Sequence, residues 1–283
     1  MRIMVTGATG RVGSRFVPRL LERGDQVRVV VRHPEQADFL GQLGAEVVKG
    51  DLLEPETLPA ALDDVEAVVH LAAFFRGATP EQAHATNLEG TVALAQAILK
   101  AGISRLVFAS TNLVYGPGRG RPLNEDDEPR PVQAYPVSKF AAEQALQELQ
   151  RSEGLGLTIL RLPFVYGDGD PHLAELLPMV RSWPLTRRFQ MGHHRDVAQA
   201  LMLALETSHT EGRVYNVADS EPVTIAEIRK LDGEPVDESE KAFSLPVPPD
   251  SWEGIVDTSR IQKELGFRPI YPNLKSAIDA KAL

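Results

Sequence analysis

Tyr135 and Lys139 form a Y-x-x-x-K pair at the start of a long helical pattern, Val137 to Leu149. At that spacing both side chains leave one helix face about a turn apart. An ammonium beside a phenol favours the phenolate, so Tyr135 is expected to exchange a proton with a substrate hydroxyl or carbonyl near neutral pH. Far upstream, Met1 to Gly13 reads MRIMVTGATGRVG. The apolar run Ile3, Met4, Val5 ends in Gly7, Gly10 and Gly13, and a helical pattern follows from Ser14 to Arg23. Gly7 allows a tight turn and Gly10 lets the backbone approach a pyrophosphate. Gly13 lets the new helix pack closely with its N-terminal amides towards the anion. Thr9, Arg11 and Val12 lie within that loop. The spacing is G-x-x-G-x-x-G, not the commoner G-x-G-x-x-G.

These residues need rigid supports. Short, apolar, β-branched runs at Arg2 to Thr6, Gln26 to Val31, Glu46 to Val48, Ala67 to His70, Arg105 to Ala109, Leu157 to Leu162 and Val214 to Val217 read as buried parallel strands. Helical stretches alternate with them: Ser14 to Arg23, Gln36 to Leu43, Thr57 to Leu62, Thr86 to Lys100, Val137 to Ser152 and Val197 to Glu206. That alternation predicts an α/β fold, a doubly wound parallel sheet with helices on both faces. Prolines break the rhythm between Gly167 and Gly192 and after Asp219, at Pro171, Pro178, Pro184, Pro222, Pro235 and Pro246 to Pro249.

The glycine loop and Y-x-x-x-K in this order resemble the extended short-chain dehydrogenase/reductases, the epimerase/dehydratase group, over nearly the whole chain. Asp51-Leu52 looks like the family's acidic-Leu pair at the adenine, although Asp51 could equally open a helical turn. His70-Leu71-Ala72-Ala73 resembles the H-x-A-A turn. Asn87 in TNLEGT, FASTNLVYG, RLPFVYGDG, HHRDVAQA, YNVADSEPVTIAEI and DTSRIQKELGFRP are similar to further landmarks. The resemblance implies a Rossmann domain over 1–166 and 193–218, and a smaller substrate lobe over 167–192 and 219–283. It adds Leu71, Ala72, Ala73, Asn87, Pro163 and Val165 to the cofactor residues. It selects Thr111 as the third catalytic residue, donating to the substrate oxygen beside Tyr135. Phe74, Thr111, Asn112, Phe164 and Arg195 are the expected substrate contacts, and Asp196 is expected to bond to backbone.

Departures from the family pattern narrow the chemistry. Dehydratases carry Asp-Glu where this chain has Asn112-Leu113, so elimination is not expected. The register of the NAD-selecting carboxylate falls on Val31, and Arg32-His33-Pro34 resembles the V-R-D-P turn of NADP-dependent reductases related to dihydroflavonol reductase. A guanidinium attracts the 2′-phosphate that a carboxylate repels. NADP is therefore the expected cofactor, with NAD as the alternative. Epimerases usually place Asn where Phe164 stands, and the segment Pro171 to Met191 is short for enclosing a uridine diphosphate, although Arg181, Arg187 and Arg188 could meet phosphates. His193 and His194 are adjacent and so point apart, with no third ligand at usable spacing, and no metal is assigned.

Three functions follow: an NAD(P)-dependent reductase or dehydrogenase of a small carbonyl or hydroxyl compound, a nucleoside-diphosphate-sugar epimerase with tightly held NAD, and a non-catalytic cofactor sensor. The intact Thr111, Tyr135 and Lys139 argue against the sensor. The 283 residues, 43% hydrophobic, suffice for one substantial core with an appended lobe. There is no cysteine for a disulfide or thiol site. The net charge of −9 argues against nucleic acid as a partner. No membrane span or leader is recognised, so a cytoplasmic enzyme is expected. Ala93, Leu94, Ala97, Ala141, Ala142, Ala145 and Leu146 suggest a homodimer through a four-helix bundle.

Overall fold

The computed structural model describes residues 1–75, 77, 79–231, 252 and 254–283. Pro235 and Pro246 to Pro249 lie outside the described residues. The contacts divide the chain into two compact units. The first holds 1–111, 132–161 and 201–214; the second holds 112–131, 162–200 and 215–283. The segments expected to form a substrate lobe fall within the second unit, which also takes 112–131, 162–166, 193–200 and 215–218.

The first unit begins with β1 (Arg2–Thr6), α1 (Gly13–Glu22), β2 (Gln26–Val31), α2 (Asp38–Gln42), β3 (Glu46–Lys49), α3 (Leu58–Ala61) and β4 (Ala67–His70). It continues through α4 (Pro80–His84), α5 (Gly90–Lys100), β5 (Leu106–Thr111), α6 (Ala134–Glu153) and β6 (Leu157–Leu162). The strand order in the seven-stranded sheet is β10-β6-β5-β4-β1-β2-β3, where β10 is Arg213–Asn216. Pairings from β3 through β2, β1 and β4 to β5 are parallel. A strand covered on both faces is buried along its length: β2 (QVRVVV) buries every residue after Gln26. Arg28 is tolerated there because its guanidinium donates to the carbonyls of Ala61 (3.0 Å) and Asp63 (2.6 Å). The core between sheet and helices includes Met4, Leu58, Val68, Leu94, Phe108, Ala142, Leu146 and Ile159. Leu94, Ala142 and Leu146 are thus spent inside the protomer, a correction to their reading as subunit contacts. Ala93, Ala97, Ala141 and Ala145 remain half-buried.

Two sequence boundaries shift for physical reasons. The helix expected from Thr86 starts as a separate capped turn, α4, with Thr79 and Gln82 closing a capping box, and passes through a π-helical turn at Ala85–Glu89. The helix expected from Val137 begins at Ala134, which puts Tyr135 and Pro136 in its first turn, where a proline loses no helical bond.

The second unit has small sheets of its own. β7 (Phe164–Tyr166) pairs in parallel with β9 (Met191–His193), and β8 (Arg188–Phe189) pairs antiparallel with β11 (Val223–Thr224). They pack against α7 (His172–Val180), α8 (Ile225–Leu231) and the helix Leu274–Asp279 around Tyr166, Leu176, Met191, Ile228 and Ala277.

Candidate active site

The sheet reverses its winding at β1, with β2 on one side and β4 on the other, and ligands of doubly wound folds sit outside the carboxyl ends of such strands. Gly7, at the end of β1, has φ +68°, and a Cβ there would stand 2.5 Å from the Ala72 nitrogen. The Gly10 amide donates to the Gly7 carbonyl (3.0 Å), and beyond that oxygen nothing lies within 4 Å of where its Cβ would be. Thr9 and Gly10 are exposed, Arg11 is half-buried, and Val12 is the N-cap of α1 with no side-chain cap. The Gly7–Gly10 turn thus leads into a helix start with no side-chain cap, and this fits a pyrophosphate.

Around that loop, Leu71 and Ala72 are half-buried and Ala73 is exposed. Asp51 uses one carboxylate oxygen to accept from the Leu53 amide (3.0 Å), the turn-forming role that its sequence left open. The Leu52 side chain packs in the core. Arg32 is exposed just past β2 and makes no hydrogen bond or ion pair among the described residues.

Thr111 ends β5 and is buried. Tyr135 is half-buried and makes an edge contact with Phe75, ring centroids 4.6 Å apart. Lys139 is 1% exposed; its ammonium sits 3.9 Å from the centre of the Phe108 ring and has no hydrogen-bond acceptor among the described residues. Burial pulls it down to about 7, against the opposing pull of Glu143. Burial also pushes the Tyr135 phenol above its usual range. Desolvation thus favours the neutral phenol in the protein alone. An orphaned buried ammonium beside that phenol fits ribose hydroxyls as acceptors.

Asn87 is fully buried. Its carboxamide donates to the Phe74 carbonyl (3.0 Å) and the Ser138 hydroxyl (2.9 Å) and accepts from the Phe74 amide (2.7 Å). Both donor hydrogens are thus spent on protein, and what Asn87 fixes is the Phe74 segment against α6. His70 shares hydrogen bonds with Thr6 (2.6 Å) and Thr91 (2.8 Å), and burial, seconded by the charge of Lys139, keeps it neutral.

In the second unit, the Phe164 ring stacks on His172 (3.8 Å, 23°) and leans on Phe189 (5.3 Å). Val165 is buried, and its carbonyl bonds the His172 ring (2.8 Å). Pro163 lies against Gly192, where a Cβ would come within 2.8 Å of the proline ring. Asn112 is buried and donates to the Val217 carbonyl (3.2 Å). Arg195 reaches Asp168 (3.3 Å) and the Tyr271 hydroxyl (3.1 Å). Arg187 lies 4.0 Å over Trp183, and Arg188 5.0 Å over Trp252. His193 bonds the Ala282 carbonyl (2.7 Å) and His194 bonds Asp170 (2.8 Å). Asp196 accepts from the Ile270 and Tyr271 amides, as expected, while burial lifts it to about 6.

Glu143, Arg161 and Asp219 were not singled out from sequence. Arg161, a lone charge in the strand LTILRL, was the available signal, because a charge inside a buried strand demands a partner.

The family model for the NAD-dependent epimerase/dehydratase family matches residues 3–218. The chain belongs to this family. It is an extended short-chain dehydrogenase/reductase, and this branch contains both reductases and epimerases. A 4-hydroxy-2-methyl-3-oxo-4-farnesyl-3,4-dihydroquinoline-1-oxide ketoreductase of Stigmatella aurantiaca is 32% identical, the match covering 80% of this chain and 70% of that protein. The structure of a UDP-glucose 4-epimerase from Thermotoga maritima with UDP-glucose aligns with TM-score 0.80 at 25% identity, over 99% of this chain and 98% of that one. A superfamily member from Agrobacterium tumefaciens with bound NAD aligns with TM-score 0.77 at 28% identity, over 99% and 97%.

Proposed function

We propose that the chain is a nicotinamide-dependent reductase or dehydrogenase acting on a carbonyl or secondary hydroxyl carbon. The carrying observation is the buried Lys139 ammonium, without an acceptor among the described residues, four residues after Tyr135 on α6. A bound nicotinamide supplies or takes the hydride. Thr111 donates to the substrate oxygen and fixes its direction. Tyr135 gives that oxygen its proton in reduction and removes it in oxidation. Lys139 holds the ribose and adds positive charge beside the phenol. Gly7, Thr9, Gly10, Arg11 and Val12 cradle the pyrophosphate, with Asp51, Leu52, Leu71, Ala72, Ala73, Pro163 and Val165 along the rest of the cofactor. Asn87 acts through the Phe74 segment. Arg32, exposed and without a partner among the described residues, supports NADP over NAD.

Phe74, Asn112, Phe164 and Arg195 are assigned to the substrate, and the second unit to its lobe. A stacked Phe164 offers no donor to a diphosphate, and this favours a small carbonyl compound over a nucleotide sugar. The epimerase reading keeps one specific support, the whole-chain likeness to the T. maritima enzyme. We further assign a cytoplasmic homodimer. The half-buried Ala93, Ala97, Ala141 and Ala145 support the dimer, and the cysteine-free composition leaves an oxidising compartment nothing to cross-link. Absorbance and turnover separate the two chemistries. A reductase is purified without bound nicotinamide and consumes NADPH with a carbonyl substrate; an epimerase retains its nicotinamide and interconverts UDP-glucose and UDP-galactose with no net consumption.

A further inference from the structure

Tyr135, Lys139 and Glu143 recur every four residues on α6 and so share one face. Glu143 is fully buried, and its carboxylate is gripped by the Arg161 guanidinium of β6 through two bonds, Nε to Oε1 (3.1 Å) and Nη2 to Oε2 (2.7 Å). Apolar residues often replace buried ion pairs without loss of stability, so stability alone does not call for this one. The pair does fix a carboxylate one turn behind an ammonium that has no hydrogen-bonded acceptor of its own.

We infer that Glu143, clamped by Arg161, is a positioning residue for Lys139: it holds the ammonium charged at working pH and on the face that carries Tyr135. This rests on the Tyr135 and Lys139 reading of the site. Among the described residues, these groups face Lys139. From β4 comes His70, neutral; from β5 the Phe108 ring; from β6 Arg161 behind Glu143; from α6 itself Tyr135 and Glu143. Burial discharges Lys139, and Glu143 is the negative charge that opposes it. The Arg161 fork restrains that field and prevents Glu143 from rotating to bond the lysine directly.

The test titrates Lys139 by NMR in the full-length protein with carbon-13-labelled lysine. The signal is assigned by its loss in Lys139→Gln. In wild type the midpoint lies near 7. In Glu143→Gln it moves down by roughly one unit, and in Glu143→Asp by less, in the same direction. Arg161→Lys, which keeps the charge but not the fork, stays folded with a midpoint displaced from wild type. A Glu143→Asp midpoint equal to wild type overturns the inference even if Glu143→Gln does not fold. The coupling and the reading of the site fail separately: a shifted Lys139 titration with Tyr135→Phe fully active discards the site and keeps the coupling. An unmoved titration with Tyr135→Phe inactive does the reverse.

Discussion

Gly13 lies so close to Gly7 that a Cβ on Gly13 would stand 2.2 Å from the Gly7 carbonyl oxygen. Helix α1 and the phosphate loop are therefore one rigid unit, and Gly13→Ala must push them apart. Overpacking of this kind costs about 1 to 3 kcal/mol. We expect the melting temperature to fall and NADP affinity to drop at least about tenfold by calorimetry, which is what about 1.4 kcal/mol at the loop amounts to. Gly41→Ala, in helix α2 with the nearest side-chain atom 3.5 Å away, is the matched control: it leaves cofactor affinity unchanged and does not lower the melting temperature.

Tyr135→Phe removes the proposed general acid and leaves the helix start intact. Turnover falls by roughly 10² to 10⁴-fold while cofactor affinity stays within about threefold. Steady-state kinetics beside a cofactor titration measure both, and activity near wild type refutes the assignment.

Arg32→Ala removes the charge proposed to meet the 2′-phosphate. NADP binding weakens by about ten- to hundredfold and NAD binding hardly moves. The contact is exposed, so the effect shrinks as ionic strength rises. Equal loss of both cofactors makes Arg32 an ordinary solvated charge.

Asp219 is fully buried, and neither of its carboxylate oxygens has a hydrogen-bond partner among the described residues. Burial, with the charges of Asp196 and Glu221 adding, holds it well above the carboxylate range. The folded protein thus keeps this proton at pH values where the unfolded chain has released it. Its contribution is a penalty, absent below the unfolded value of 3.8 and growing as pH rises towards the folded one. Asp219→Asn is therefore more stable than wild type at pH 7, and the gain disappears near pH 4. Melting curves across that range decide it, and a difference that widens on acidification reverses the argument.

Val137 is 46% exposed, and on the same helix Ala141, Ala145 and Leu149 are half-buried at the spacing of one face. If that face meets its copy, Ala141→Glu places like charges across a twofold axis. Light scattering should show a dimer for wild type at micromolar concentration and a monomer for the variant. A monomeric wild type contradicts the assembly.

The glycine loop and Y-x-x-x-K were legible in the sequence because each is a local pattern. Gly7, Gly10 and Gly13 are fixed by one turn and one helix start, and Tyr135 and Lys139 by the period of one helix. The strand pattern was equally legible, because strands covered on both faces must be apolar along their length. The charge states were not. Desolvation is set by everything packed around a group, so only the folded chain pulls Lys139 down to about 7 and pushes the Tyr135 phenol above its usual range. The long-range partners were not legible either. Asn87 meets Phe74 and Ser138, Glu143 meets Arg161, and Phe164 lies on His172 because separate elements converge, and no spacing along the chain records that convergence. Residue types and local period name the chemistry; packing decides which of those groups are charged, which are spent on the protein, and which remain for a ligand.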